Sequence, residues 1–253
     1  MDRGILEAFA KQWARYFPGS ELPVAFAYAD ALDGVRYPDP PGQVGGYTCI
    51  FGQLSAVRNG EARAFDGANA GCFGAAGVLG FSDPRQGLGP EYDFLVKEEK
   101  FYKTAEQVRE ILDRYPPVPA RGRYAVFKRW DLLTEKDEPL VVSFFCRPDA
   151  VAGLHALANY DSRTPHGVIA PFGSGCDTLV GFALRELASD LPRAVLGLFD
   201  PSARVCVRPE LLTFSVPWPK FTGMLENMDR CFLTTPLWQR IRKRMQPSAA
   251  GKT

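Results

Sequence analysis

The chain has 253 residues, 46% of them hydrophobic and 23% charged, with 30 Lys plus Arg against 29 Asp plus Glu and a net charge of +1. That length can bury a sizeable core, and so even a charge balance supplies no long-range field towards nucleic acid or an anionic membrane. Glu7, Lys11 and Arg15 break up the apolar positions of residues 4–17, unlike a signal peptide, and no stretch approaches the ~20 apolar residues of a membrane-spanning helix, so a cytoplasmic protein is expected.

Residues 4–17 read as an amphipathic helix, with Ile5, Leu6, Phe9, Trp13 and Phe17 on one face and Pro18-Gly19 as its stop. A strand is expected at 24–28. Residues 33–46, with Gly34, Pro38, Pro40, Pro41, Gly42, Gly45 and Gly46, read as a loop. Helices follow at 48–58, stopped by Asn59-Gly60, and at 72–79. Residues 81–100 read as irregular. A helix at 103–115 turns Val108, Ile111 and Leu112 inward and ends at Pro116-Pro117. Strands are expected at 124–130 and 140–145, and a helix at 148–160 that opens on Pro148. A helix at 176–187, strands at 195–199 and 211–216, and helices at 221–228 and 236–245 complete the pattern. The basic run Arg240, Arg242, Lys243, Arg244 reads as a solvated helix end, and 247–253 as a disordered tail. Interleaved strands and helices predict an α/β or α+β fold, a mixed sheet with helices packed on it, as a single globular unit over residues 1–246.

Six cysteines are present: Cys49, Cys72, Cys146, Cys176, Cys206 and Cys231. In a reducing compartment they are expected as thiols or metal ligands. Three share a context. Cys49 follows Gly45-Gly46, Cys72 follows Gly71, and Cys176 follows Gly173 and Gly175, and each opens an expected helix. The unpaired N–H groups and partial positive charge of a helix start favour thiolate, the form that binds metal or acts as a nucleophile. Three such thiolates, drawn together, suit an iron–sulfur cluster. A [4Fe–4S] cluster held by three cysteines keeps one iron open to substrate or to another ligand. No compact C-x₂-C-x₂-C run accompanies them, and the spacings are long. Buried packing is the plain alternative for any one cysteine.

The segments from Cys49 to Gly60 and from Cys72 to Phe81, with Ser174-Gly-Cys176, resemble the DUF169 family. So do Gly197 to Arg204, Leu212 to Pro217, and Met224 to Leu233 with Trp238, so the resemblance spans nearly the whole chain. It implies that Cys49, Cys72 and Cys176 occupy family cysteine positions, whereas Cys146, Cys206 and Cys231 do not. Relatives in anaerobic bacteria and archaea suit an oxygen-sensitive cluster. The family is uncharacterised and implies no activity.

Other groups extend the candidate site. Asp200-Pro-Ser-Ala-Arg204 follows an expected strand, where ligands often bind in α/β sheets, and Arg204 has the planar fork that clamps a carboxylate or phosphate; an Asp-capped turn is the plain alternative. His166 is a candidate base or fourth ligand, Cys146 a candidate fourth thiolate, and His155 reads as helix packing. Walker A, G-x-G-x-x-G and H-E-x-x-H patterns are absent from the sequence. The leading expectation is therefore a cytoplasmic iron–sulfur protein, with Cys49, Cys72 and Cys176 as ligands, Arg204 and His166 near the cofactor, and a redox or Lewis-acid role on an unknown small molecule or redox partner. A metal-free module for a small anionic ligand and a thiol-dependent enzyme are the alternatives. Nucleic acid and membrane partners are not expected.

Overall fold

The computed structural model describes residues 1–36, 49–70, 72–86 and 93–246. Its organising strand is β4, Val141–Cys146, whose six residues are all buried. Successive side chains of a strand point to opposite faces. Val141 and Phe145 accordingly enter one core, and Val142, Phe144 and Cys146 the other. A strand needs apolar residues at every position only when both its faces are covered. β4 is therefore the middle of a three-layer arrangement.

On one side, β4 pairs antiparallel with β7 (Leu212–Pro217), from Val141 opposite Pro217 to Cys146 opposite Leu212. On the other it pairs antiparallel with β1 (Val24–Ala29). The sheet continues through β3 (Tyr124–Arg129) to β2 (Arg63–Phe65) at one edge, and through β6 (Ala194–Gly197) to β5 (Val168–Ile169) at the other. The order of the seven strands is β2-β3-β1-β4-β7-β6-β5. The β5–β6 pair is parallel and every other pair antiparallel. This is the mixed sheet with packed helices that the sequence predicts.

The helices are α1 (Arg3–Tyr16), α2 (Ile50–Arg58), α3 (Phe73–Val78), α4 (Ala105–Arg114), α5 (Pro148–Asn159), α6 (Phe182–Glu186), α7 (Pro201–Arg204), α8 (Trp218–Asn227) and α9 (Pro236–Met245). Side-chain caps fix several starts. Asp2 accepts from Gly4 N, Thr104 from Gln107 N, and Thr235 from Trp238 N. Helices α1, α5, α8 and α9 cover one face with an aromatic core. Phe9 lies 4.3 Å from Trp130 and Trp13 4.4 Å from Phe17, by ring centroids. Two indole N–H groups find backbone carbonyls, Trp13 on Glu21 O and Trp238 on Tyr16 O, so neither ring brings an unsatisfied donor inside. The basic run of α9 is solvated as expected, with Arg244 reaching Asp149 across the surface.

Helices α2, α3 and α6 cover the other face. The helix expected at 176–187 opens with a π-helical turn, Asp177–Gly181, before α6. The Ser143 hydroxyl, at the centre of β4, donates to Leu179 O in that turn, and Ser215 lies 2.9 Å from Ser143. The 81–100 stretch, expected to be irregular, contains a helical turn at Phe94–Glu98. β2 and β5, of three and two residues, are strands that the sequence reading did not place. Residues 37–46 of the expected loop and the expected tail, 247–253, lie outside the described residues. Among the described residues no helix is long and apolar enough to cross a membrane.

Gly153 marks the tightest fit of the aromatic face. A β-carbon there would stand 2.3 Å from a ring carbon of Trp238 and 2.8 Å from one of Phe17. Both rings are buried and have no room to yield. Gly153→Ala is expected to destabilise the fold by about 1–3 kcal/mol, read as a lower urea midpoint with the slope unchanged.

Candidate functional site

Cys49 is the N-cap of α2 and Cys72 the N-cap of α3, while Cys176 stands just before the π-helical turn that leads into α6. The three helix starts expected from the sequence are therefore present. The fold draws them together: all three cysteines line one cavity of about 160 Å³ on the α2/α3/α6 face of the sheet. The Ala75 N–H donates to Cys72 Sγ at 3.3 Å, and Ser174 Oγ lies 3.3 Å from Cys176 Sγ.

The segment carrying Cys176 is pinned from below. Asp200, buried at the start of α7, accepts from Gly175 N at 2.8 Å and from both the N–H and the hydroxyl of Ser202. Gly175 is required by close approach, since a β-carbon there would lie 2.4 Å from Ala203 Cβ and 2.8 Å from the Phe51 ring. The Asp200 turn thus serves as a cap and also sets the depth of the third cysteine. On the other side of Cys176, Asp177 pairs with Arg185 at 2.8 Å. The same guanidinium donates to the carbonyls of Tyr115 and Pro116, where α4 ends.

The electrostatics overturn one expectation. A helix start was expected to lower the thiol pKa. Burial instead pushes Cys49 up to about 12, with the N–H of Phe51 working against it and the Cys206 and Cys72 thiols adding smaller rises. Cys176 is also raised, by burial first and then by Cys72, against the hydroxyl of Ser174. Desolvation penalises the charged form, and neighbouring thiols in the same cavity add to the penalty at Cys49 and Cys176.

The other predicted groups are dispersed. Arg204 turns away from the cavity: its guanidinium donates to the carbonyls of Leu211 and Pro209, closing the loop after α7. His166 is exposed in the loop before β5 and does not line the cavity. His155, read as helix packing, is exposed on α5. Cys146, a candidate fourth thiolate, is buried in the core on the opposite face of the sheet, because its even position along β4 points it there. Cys206, which the sequence set aside, lies within hydrogen-bond reach of Cys49.

Sequence reading missed the cavity's other wall. Phe94 and Glu99 come from the stretch expected to be irregular, Phe101 and Tyr102 from the two residues after it, and Val108, Ile111 and Leu112 from the inward face of α4. An apolar α4 face was legible, but not what it covers. Among the described residues, no group of three or more His, Cys, Asp or Glu is arranged to hold a single metal ion. A cluster makes a different demand, because each thiolate binds its own iron.

A family model, DUF169 (uncharacterised ArCR), matches residues 20–227 and so includes all three cavity cysteines and the Asp200 turn. Neither a curated protein nor a solved structure matches the chain.

The raised thiol pKa values give a signed prediction. Below pH 10 the Cys49 thiolate is a small fraction that grows about tenfold per pH unit. Alkylation of Cys49 by iodoacetamide in metal-free protein, followed by peptide mass spectrometry, is expected to be slow at pH 7 and to rise steeply up to pH 10. Rapid alkylation at pH 7 that changes little with pH would contradict the burial argument.

Proposed function

Since the chain belongs to the DUF169 family, which carries no assigned activity, we propose from the site itself that the protein holds an iron–sulfur cluster of the [4Fe–4S] type on Cys49, Cys72 and Cys176. One observation carries this reading: three sulfurs, from segments 23 and 104 residues apart in the chain, line a single cavity at three helix starts. The cavity residues fit the group chemically. Thiolate is the ligand that such clusters take, and hydrogen bonds to the sulfurs, of the kind Ala75 makes to Cys72, tune their potential. Two of the thiols resist ionisation on their own, so binding of iron would release protons and strengthen as pH rises. With three protein ligands one iron stays open, which suits a redox or Lewis-acid role on a molecule in the adjoining cavity. A reducing compartment such as the cytoplasm is the setting this reading calls for.

Two other readings have less support. An anionic ligand would meet Glu99, Asp177 and Asp200 in the cavity wall against Arg185 alone, which Asp177 already engages. A free cysteine nucleophile needs a lowered pKa, and burial pushes Cys49 and Cys176 the other way.

Protein purified without oxygen is expected to carry roughly four iron and four acid-labile sulfide per chain, with a broad visible absorption. Ser in place of Cys49, Cys72 or Cys176 is expected to abolish both, whereas Cys146→Ser keeps them. Colourless, iron-free and stably folded protein would sink the reading.

A further inference from the structure

The cavity that holds the three sulfurs extends well beyond them, under Phe94–Glu98 and α4. Its outer wall is aromatic. Phe172 packs edge-on against Phe101 and Tyr102, each at 5.9 Å between ring centroids, and Phe94 and Phe182 complete the lining. An apolar cavity of about 150 Å³ holds one benzene ring, so the roughly 160 Å³ here admits one ring with a short arm.

The polar groups in the wall are one-sided. Asp200 is spent on Gly175 and Ser202. Arg185 is spent on Asp177 and on the carbonyls of Tyr115 and Pro116. Glu99 faces the cavity, with a hydrogen bond from Ser202 and Asp200 nearby, and its carboxyl is raised chiefly by burial. No lysine is among the lining residues, so the described wall offers a ligand no unengaged cation.

The backbone supports the same place. The non-glycine residues with positive φ among those described are Lys100, at 56°, and Leu198, at 71°. Lys100 separates Glu99 from Phe101, and Leu198 stands two residues before Asp200. Such strain persists where its surroundings over-determine it and collects at ligand sites.

We propose that this cavity binds a small arylalkylamine, its ring held among Phe94, Phe101, Tyr102 and Phe172 and its ammonium group against Glu99. A partly buried carboxylate beside aromatic faces favours an ammonium ion by ion pairing and by cation–π attraction. The inference uses none of the thiols, but the ring draws on the same roughly 160 Å³ that the sulfurs line, so it is made for the protein without a cluster.

The test is calorimetric titration of the full chain with phenethylamine, 2-phenylethanol and 3-phenylpropionate, three probes that share a phenyl ring on a short arm and differ in charge, with iron and sulfide measured on the same samples. Phenethylamine is expected to bind at least about tenfold tighter than the alcohol, and phenylpropionate most weakly. Glu99→Gln is expected to erase the preference for the amine while leaving the alcohol's affinity in place. Gly74→Leu is expected to block all three. Gly74 lines the cavity and a β-carbon there meets only Cys72 Sγ, at 4.0 Å, so a side chain at this position has room to enter it. Phenylpropionate binding as tightly as the amine, a preference that survives Glu99→Gln, or no binding of any probe to folded protein would each overturn the proposal. Amine binding to iron-free protein would leave it standing, and no amine binding to iron-free, folded protein would overturn it whatever the iron-loaded protein does.

Discussion

The carboxylate of Asp200 holds the site together. It lies just beyond β6, almost fully buried, and accepts hydrogen bonds from Gly175, Ser202 N and Ser202 Oγ. A buried carboxylate is tolerable only when its lone pairs are filled, and the same bonds that fill them fix two loops at once. One loop carries Cys176 to the depth of Cys49 and Cys72. The other starts α7 and sets Ser202 beside Glu99. The register of the sheet, passed on through β6, thus becomes the geometry of the cavity.

The state of the thiols follows from two opposed effects of unequal size. A helix start favours negative charge by about 0.3–1 kcal/mol, less than one pKa unit's worth. Removal from water acts in the other direction, and for Cys49 it wins, taking the thiol from its ordinary value near 9 to about 12. The cavity therefore favours the neutral thiol at Cys49 and at Cys176.

Much of this was written locally in the chain, and the rest was not. Periodicity located the long helices and the buried strands, since Phe9 and Trp13, or Val141 to Phe145, declare their neighbours within a few residues. The grouping of Cys49, Cys72 and Cys176 was legible as well, from the glycines before them. Three-residue β2 and two-residue β5 were too short to show a period. The sign of the thiol shift, the turning of Arg204 towards Pro209 and Leu211, and the distance of His166 from the cavity depend on what lies across the fold. The aromatic wall escaped for a related reason: Glu99, Phe101 and Tyr102 follow no regular spacing, and the sharp turn at Lys100 aims them.

The brevity of the two outermost strands has a further bearing. β2 spans three residues and β5 two, so the seven-stranded sheet ends at both sides in a rim too short to template a neighbour's strand. An open, largely apolar cavity is itself a liability to self-association. Blunt rims remove the route by which sheets most readily polymerise, and they let the chain carry an open apolar hollow at high concentration.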